Sequence, residues 1–447
     1  MSSSDQETGS TSRRVWQLAW PTIISNLLFT TVGFLHIKIA SPLGPSAVAA
    51  VTTGHRVFFL IQAVLMGLSV ATTAIVARNW GANDHRQAEM ATWTSMAMAV
   101  FFGLLLGLPP LLVPEFIVGL FGLDEETSAS AASFIFWLGL FNVFSALNTI
   151  LSTALRATGD VITPLLFLFC SSVLNIIAAW VLATGVGAVP AFGVQGIGLG
   201  GSAAAATITT IFVAIWWRGA FNIKPVKRLR VNMMTARQLI SIGLPSVAEQ
   251  GFVQTAFLVF FGLVASYGTN AYAAYGIGIS LVSFSIVIGF GFGIAAATLV
   301  GQQLGAGNPE MAMKAGWRGL RMALIAMVSI SVLTAIYAEE LAGFMIEDPE
   351  AAEFTRIFIY VIALCQPLMA VDAAIGGALR GAGDTRFPLI ATVSGIMLGR
   401  LLPAFLILSL DMSIHWMFLV MFMDYVIKAT LLLWRYNSRK WMQIKVR

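Results

Sequence analysis

The chain has 447 residues, of which 58% are hydrophobic and only 11% charged, with a formal net charge of +5 and a mean hydropathy of +0.84. A soluble domain cannot hide that much apolar surface, because most of any globular surface still faces water. Composition alone therefore excludes a soluble enzyme or scaffold and points to a bilayer as solvent.

Residues 1–12 are polar and Ser-rich. The apolar run that follows is too long for a signal peptide and lacks a small-residue cleavage site, so no cleavable leader is expected. Twelve apolar runs of membrane-spanning length are predicted, at about 15–40, 46–76, 91–118, 130–151, 161–187, 196–218, 235–265, 271–300, 316–337, 353–377, 387–410 and 413–434. A bilayer core demands helices of roughly 20 apolar residues whose backbone groups are satisfied internally. The two cysteines, Cys170 and Cys365, both fall inside these runs, so neither a disulfide framework nor a zinc site is implied.

With the N-terminus inside, the even-numbered connections and the two tails hold 22 of the 26 basic residues; Lys38, Arg56, Arg356 and Arg400 fall elsewhere. The opposite side is acidic, with Glu115, Asp124, Glu125, Glu126, Glu339, Glu340, Glu347 and Asp348. That bias places both termini in the cytoplasm. The net positive charge thereby serves topology, and no nucleic-acid partner is invoked.

A shift of 224 residues brings the two halves into register. Ala154-Leu155-Arg156, Gly159-Asp160 and Pro164-Leu165 return as Ala378-Leu379-Arg380, Gly383-Asp384 and Pro388-Leu389, and Pro21, Gly67 and Asp124 return as Pro245, Gly291 and Asp348. A constant offset over such distances marks a duplication. The expected fold is an all-α membrane protein of twelve helices in two parallel six-helix repeats, with a cavity between them and alternating access by rocking. The predicted organisation is a tail at 1–14, an N-lobe at 15–220, a basic linker at 221–236, a C-lobe at 237–434 and a tail at 435–447.

Leu379-Arg380-Gly381-Ala382-Gly383-Asp384 with Pro388, and its copy Leu155-Arg156-Ala157-Thr158-Gly159-Asp160 with Pro164, resemble the signature of the multidrug and toxic compound extrusion (MATE) family. Pro21, Leu43-Gly44 and Gly67-Leu68-Ser69 leading to Gly81-Ala82 also look like that family. The resemblance spans essentially the whole chain. It implies antiport of sodium ions or protons, and export of small amphipathic, cationic organic compounds from the plasma membrane, here the bacterial inner membrane. No cofactor beyond the coupling ion and no obligate protein partner are implied. Physically, the signature reads as a loop in which glycines end a helix, proline starts the next, and Arg156 with Asp160, and Arg380 with Asp384, tie the turn.

Ionisable groups in hydrocarbon cost several kcal/mol unless solvated or paired, which makes each a functional candidate. Glu249 lies in the seventh span, with Gln250 beside it, and Asp372 in the tenth. These positions resemble the Glu and Asp that bind the coupling cation in the NorM-type branch, so sodium or a proton is expected at Glu249 and Asp372. Two carboxylates in a poorly solvated pocket suit that role, since desolvation and repulsion raise their proton affinity. The N-lobe departs from the pattern. His36 stands where the family usually has a membrane Asp, and Asn175 matches a family Asn, but the Asp of the DinF-type branch is Ala179 here. Lys38, His55 and Arg56 add positive or titratable groups. His36 either takes a proton near neutral pH or is a hydrogen-bonded helix residue.

Asp424 and Lys428, spaced i, i+4, are expected to pair. Arg400 needs a buried partner, and both Asp372 and Asp424 are open to it. Gly196, Gly198 and Gly201 spell G-x-G-x-x-G, but they open a membrane helix with no strand before them, which argues against a dinucleotide site. Gly289 and Gly293 make a small-residue packing face. No metalloprotease, P-loop or nucleophile-elbow motif occurs in the sequence, so no enzymatic activity is expected. A lipid-linked or anionic cargo is the competing reading, on the strength of His36, Lys38, His55 and Arg56.

Overall fold

A computed structural model describes residues 3–187, 189–226, 231–346 and 348–444. Lys227, Arg228, Arg230, Glu347, Lys445 and Arg447, counted above among the topology-setting charges, lie outside the described residues. The helices are α1 (Ser3–Ala40), α2 (Pro45–Gly81), α3 (His85–Leu112), α4 (Pro114–Gly119), α5 (Glu125–Leu140), α6 (Asn142–Thr158), α7 (Ile162–Thr184) and α8 (Gly193–Trp217). They continue as α9 (Met233–Ala265), α10 (Thr269–Gly305), α11 (Pro309–Ile336), α12 (Ala338–Met345), α13 (Pro349–Gly381), α14 (Arg386–Ser394), α15 (Leu402–Ser409) and α16 (Ile414–Asn437). A π-helical turn, Gly395–Leu401, joins α14 to α15.

Among the described residues eleven helices are long and apolar enough to span a membrane, and α5 with α6, bent by 51°, makes the twelfth. Large apolar side chains remain bare on the helix surfaces, Leu258 at 78% and Phe344 at 87% exposure among them, as a lipid-facing surface requires. The predicted span 130–151 is thus a bent pair. The bend falls at Phe141, where Asn142 Nδ2 donates to the Gly103 carbonyl, 2.9 Å away on α3. Its counterpart in the second repeat, α13, runs unbroken.

The duplication is visible helix by helix. The 37-residue α2 and α10 begin 224 residues apart, as do the 28-residue α3 and α11. Asp124 and Asp348, also 224 apart, do the same job. Each accepts a hydrogen bond three residues on, from Thr127 N (3.0 Å) and Ala351 N (2.9 Å), and so caps its helix. The Thr127 contact holds the exposed Asp124 carboxyl below the usual range. A second shared device is a bare glycine against an aromatic ring: a Cβ on Gly54 would strike Phe134, and one on Gly278 would strike Phe358. Gly289 and Gly293 seat α10 on Ala373 of α13, with Gly377 in turn against Gly293, the packing role expected of a small-residue face.

The chain divides into two compact units, one of Met1–Ile23 with Leu244–Arg447 and the other of Ile24–Gly243, here called unit 1 and unit 2. The unit boundaries therefore fall inside α1 and α9, not at the linker 221–236, and the contacts explain why. In unit 1, the Trp16 ring lies 6.4 Å from that of Phe292, tilted by 39°, and a Cβ on Gly291 would meet Ile23 and, at 3.2 Å, the Ala19 carbonyl. In unit 2, a Cβ on Gly243 would lie 3.0 Å from the Gly67 carbonyl, and Lys224 N and Asn232 N donate to Glu89 and Thr94 of α3. Pro21 and Pro245, each inside its helix, sit close to these boundaries.

Candidate functional site

Unit 1 gathers three carboxylates and three cations inside its helices. Glu249, on α9, is buried to 5% exposure. Its Oε1 accepts from Arg380 Nη2 at 2.6 Å and from Thr392 Oγ1 at 2.8 Å, and its Oε2 accepts from Arg380 Nε at 3.4 Å. Arg380 belongs to the signature loop, yet its head group does not tie that loop. Helical side chains lean toward the N-terminus, and Arg380 leans back along α13 over Gly376. A Cβ on Gly376 would lie 3.1 Å from Arg380 Nη1 and 3.5 Å from Asp372 Oδ1. Arg380 thus stands beside both carboxylates while bonded to Glu249. The Gln250 side chain makes no hydrogen bond among the described residues.

Asp384 also finds a partner other than the one expected: Arg435 Nε donates to its Oδ2 at 2.7 Å, under a cation–π contact between Arg435 and Phe387. The turn itself is closed by backbone, Asp384 N to the Leu379 carbonyl at 2.9 Å. In the first repeat Asp160 Oδ1 accepts from Thr163 N at 3.0 Å, and Arg156 enters no ion pair among the described residues. Neither arginine–aspartate pair of the signature forms. The physical reason is reach: a carboxylate just past the helix end is better placed for backbone N–H groups and for α16 than for a side chain directed up the helix.

Deeper in the unit, Arg400 chooses Asp424 over Asp372, with Nη2 2.5 Å from Asp424 Oδ2. Lys428 Nζ lies 3.1 Å from Asp424 Oδ1, the expected i, i+4 pair. Both partners of Asp424 also face π-electrons, Arg400 over Phe257 and Phe260 and Lys428 over Tyr425. The π turn places Arg400 there, and Gly395 and Gly399 allow the approach, since a Cβ on either would crowd Asp424.

Unit 2 is built differently. The 224-residue shift puts Ser25 and Asn148 where unit 1 has Glu249 and Asp372. His36, at 6% exposure, has its Nε2 2.6 Å from Asn175 Oδ1 and its Nδ1 3.3 Å from His55 Nε2, with the two rings stacked. Asn175 Nδ2 donates to the Gly201 carbonyl at 3.2 Å. Gly201 serves this group directly: a Cβ there would lie 3.2 Å from both Asn175 and His36. Lys38 and Arg56 are exposed. Thr392, Arg380 and Gly201 are site residues whose roles sequence reasoning did not assign; the first is an unremarkable threonine, and the other two carried motifs read as structural.

The described residues hold no cluster of three metal-ligating side chains. Glu249 and Asp372 could still offer oxygen to a hard cation, provided Arg380 yields its place on Glu249.

The chain is 27% identical over 446 residues to the probable multidrug resistance protein NorM of Thermotoga maritima, covering 98% of this chain and 94% of that protein. Among solved structures it resembles a MOP superfamily transporter from Pyrococcus furiosus whose binding pocket has reversed polarity (TM-score 0.89, 19% identity, 97% of each chain). It also resembles the MATE transporter VcmN of Vibrio cholerae in its bent form (TM-score 0.88, 19% identity, 97% and 98%). The MatE family matches residues 21–181 and 245–406, one stretch in each repeat. The chain belongs to the MatE family of membrane transporters.

Proposed function

We propose that this transporter is a secondary active antiporter that exports amphipathic, cationic organic compounds in exchange for protons or sodium ions, by alternating access. The observation that carries the reading is Glu249 held by Arg380 beside Asp372. A membrane-buried carboxylate ion-paired to a single cationic head group can exchange it for another cation, and a proton, a sodium ion and a cationic cargo all compete for it. The relatedness to proteins named for multidrug resistance supports the cargo class. The bacterial inner membrane, with both termini cytoplasmic, is the setting that the basic-residue bias supports.

Proteoliposomes given separately imposed proton and sodium gradients, and loaded with ethidium, test the proposal. Efflux driven by neither gradient would overturn it. A second reading, export of an anionic or lipid-linked compound, draws on the absence of any buried carboxylate among the described residues of unit 2 and on the reversed pocket polarity of the Pyrococcus furiosus relative. Gradient-driven movement of an anionic dye in place of ethidium would favour it.

A further inference from the structure

The geometry points to a proton-carrying relay in unit 2: a single proton that enters at His55 Nδ1, passes to His36, and is the cation this repeat binds. The claim deepens the antiport reading, and rests on it only for the use to which the proton is put.

The hydrogen-bond chain fixes the tautomers. Asn175 Nδ2 donates to Gly201, so Asn175 Oδ1 is left as an acceptor, and His36 Nε2 must be the N–H that donates to it. In the neutral ring His36 Nδ1 is then a bare lone pair, and His55 Nε2–H is the donor that meets it at 3.3 Å. His55 Nδ1 is left bare at the end of the chain, on a residue that is only half-buried, with Gly33 beside it: a Cβ there would sit 3.9 Å from that nitrogen. A proton bonds to the His55 Nδ1 lone pair. The His55 Nε2–H bond then breaks as a His36 Nδ1–H bond forms, leaving a His36 imidazolium and a neutral His55 protonated on Nδ1. The charge arrives on the ring that Asn175 Oδ1 already supports.

The surroundings leave this pair to act alone. Among the described residues of unit 2, α2, α7, α8 and the stretch of α1 from Ile24 contain no Asp or Glu, and α5 has only the exposed Glu125 and Glu126 in its first turn. Phe134 of α5 meets His55 edge-on at 5.6 Å. The neighbouring cations Lys38 on α1 and Arg56 on α2 are exposed, and Cys170 on α7 is exposed five residues before Asn175. Two nitrogens and one occupied amide oxygen are a poor cage for sodium, a hard ion that takes several oxygens. A proton fits, and histidine is the side chain that exchanges one near neutral pH.

The test is ¹⁵N-histidine NMR of the full chain in lipid nanodiscs, with signals assigned through His85→Gln and His415→Gln. Expected is one shared protonation step between about pH 5 and pH 8, in which the His36 and His55 signals move together. His55→Gln keeps a donor for His36 Nδ1 but removes the far nitrogen. It should abolish the shared step and, in proteoliposomes, proton-driven ethidium efflux. Two independent steps, or rings that stay neutral down to about pH 5, would overturn the relay. So would wild-type proton-driven efflux in His55→Gln. A wild-type shared step with no proton-driven efflux leaves the relay standing and counts against the antiport reading alone.

Discussion

Arg380 places Nη2 2.6 Å from Glu249 Oε1, across 131 residues of chain, and Thr392 Oγ1 donates to the same oxygen at 2.8 Å. Glu249→Gln and Arg380→Gln should each destabilise the protein, since stripping one partner from a buried pair costs about 3–5 kcal/mol. Combining them should recover much of that loss, as both charges leave together. Export should not recover: it should be lost in Glu249→Gln, in Asp372→Asn and in the double variant. Thermal unfolding in detergent and gradient-driven efflux per unit of membrane protein measure the two effects separately. Recovery of both would make the pair a purely structural bridge.

Asp424 answers to two cations, at 2.5 Å and 3.1 Å. Asp424→Asn should lower the unfolding temperature more than Glu249→Gln, because it leaves Arg400 and Lys428 both unneutralised in the interior. Adding Lys428→Met should recover only part of the loss, with Arg400 still alone. An Asp424→Asn protein as stable as wild type would show that water reaches the triad.

Topology can be read by cysteine labelling. Asp124 and Asp348 cap helices, so the probes belong at their exposed neighbourhood, Glu125 and Glu339. Both should react with an impermeant thiol reagent on intact cells, and a cysteine replacing Arg228 in the basic linker should not, with Cys170 and Cys365 first changed to Ala. The opposite pattern would turn the molecule over.

The duplicated glycine–phenylalanine contacts predict a matched pair of defects. Gly54→Ala and Gly278→Ala each press a methyl into a ring, Phe134 or Phe358, at a cost of about 1–3 kcal/mol in unfolding free energy. Trimming the ring to Leu should relieve the strain in each case. Gly44→Ala, with nothing near its Cβ position, supplies a control for crowding, though its φ of 107° adds backbone strain.

Hydrophobic period and charge bias made the spans legible, because a bilayer leaves few ways to satisfy a backbone, and the 224-residue offset made the repeat legible. The Asp424–Lys428 pair followed from helical spacing alone. What could not be read was which distant side chains meet. Arg380 stands four residues from Asp384 in sequence, but its head group is carried up the helix to Glu249, and only the crossing of α9 and α13 reveals that. Likewise Arg400 had two acids to choose from until the π turn pointed it at Asp424. His55 was visible only as an extra positive group; its ring bond to His36 depends on how α1 and α2 are packed, which no spacing encodes.

The contacts of Ala19 with Gly291 and of Gly243 with Gly67 are one contact made twice, since each residue of the second pair lies 224 away from its counterpart in the first. In both, the opening turns of a repeat's first helix are seated on the second helix of the other repeat. The turns that open each repeat are therefore closed by the other repeat, as an exchanged element closes its partner in a domain swap. The chain thus carries within one polypeptide the exchange that a helix-swapped dimer makes between two, its repeats joined through residues 221–236.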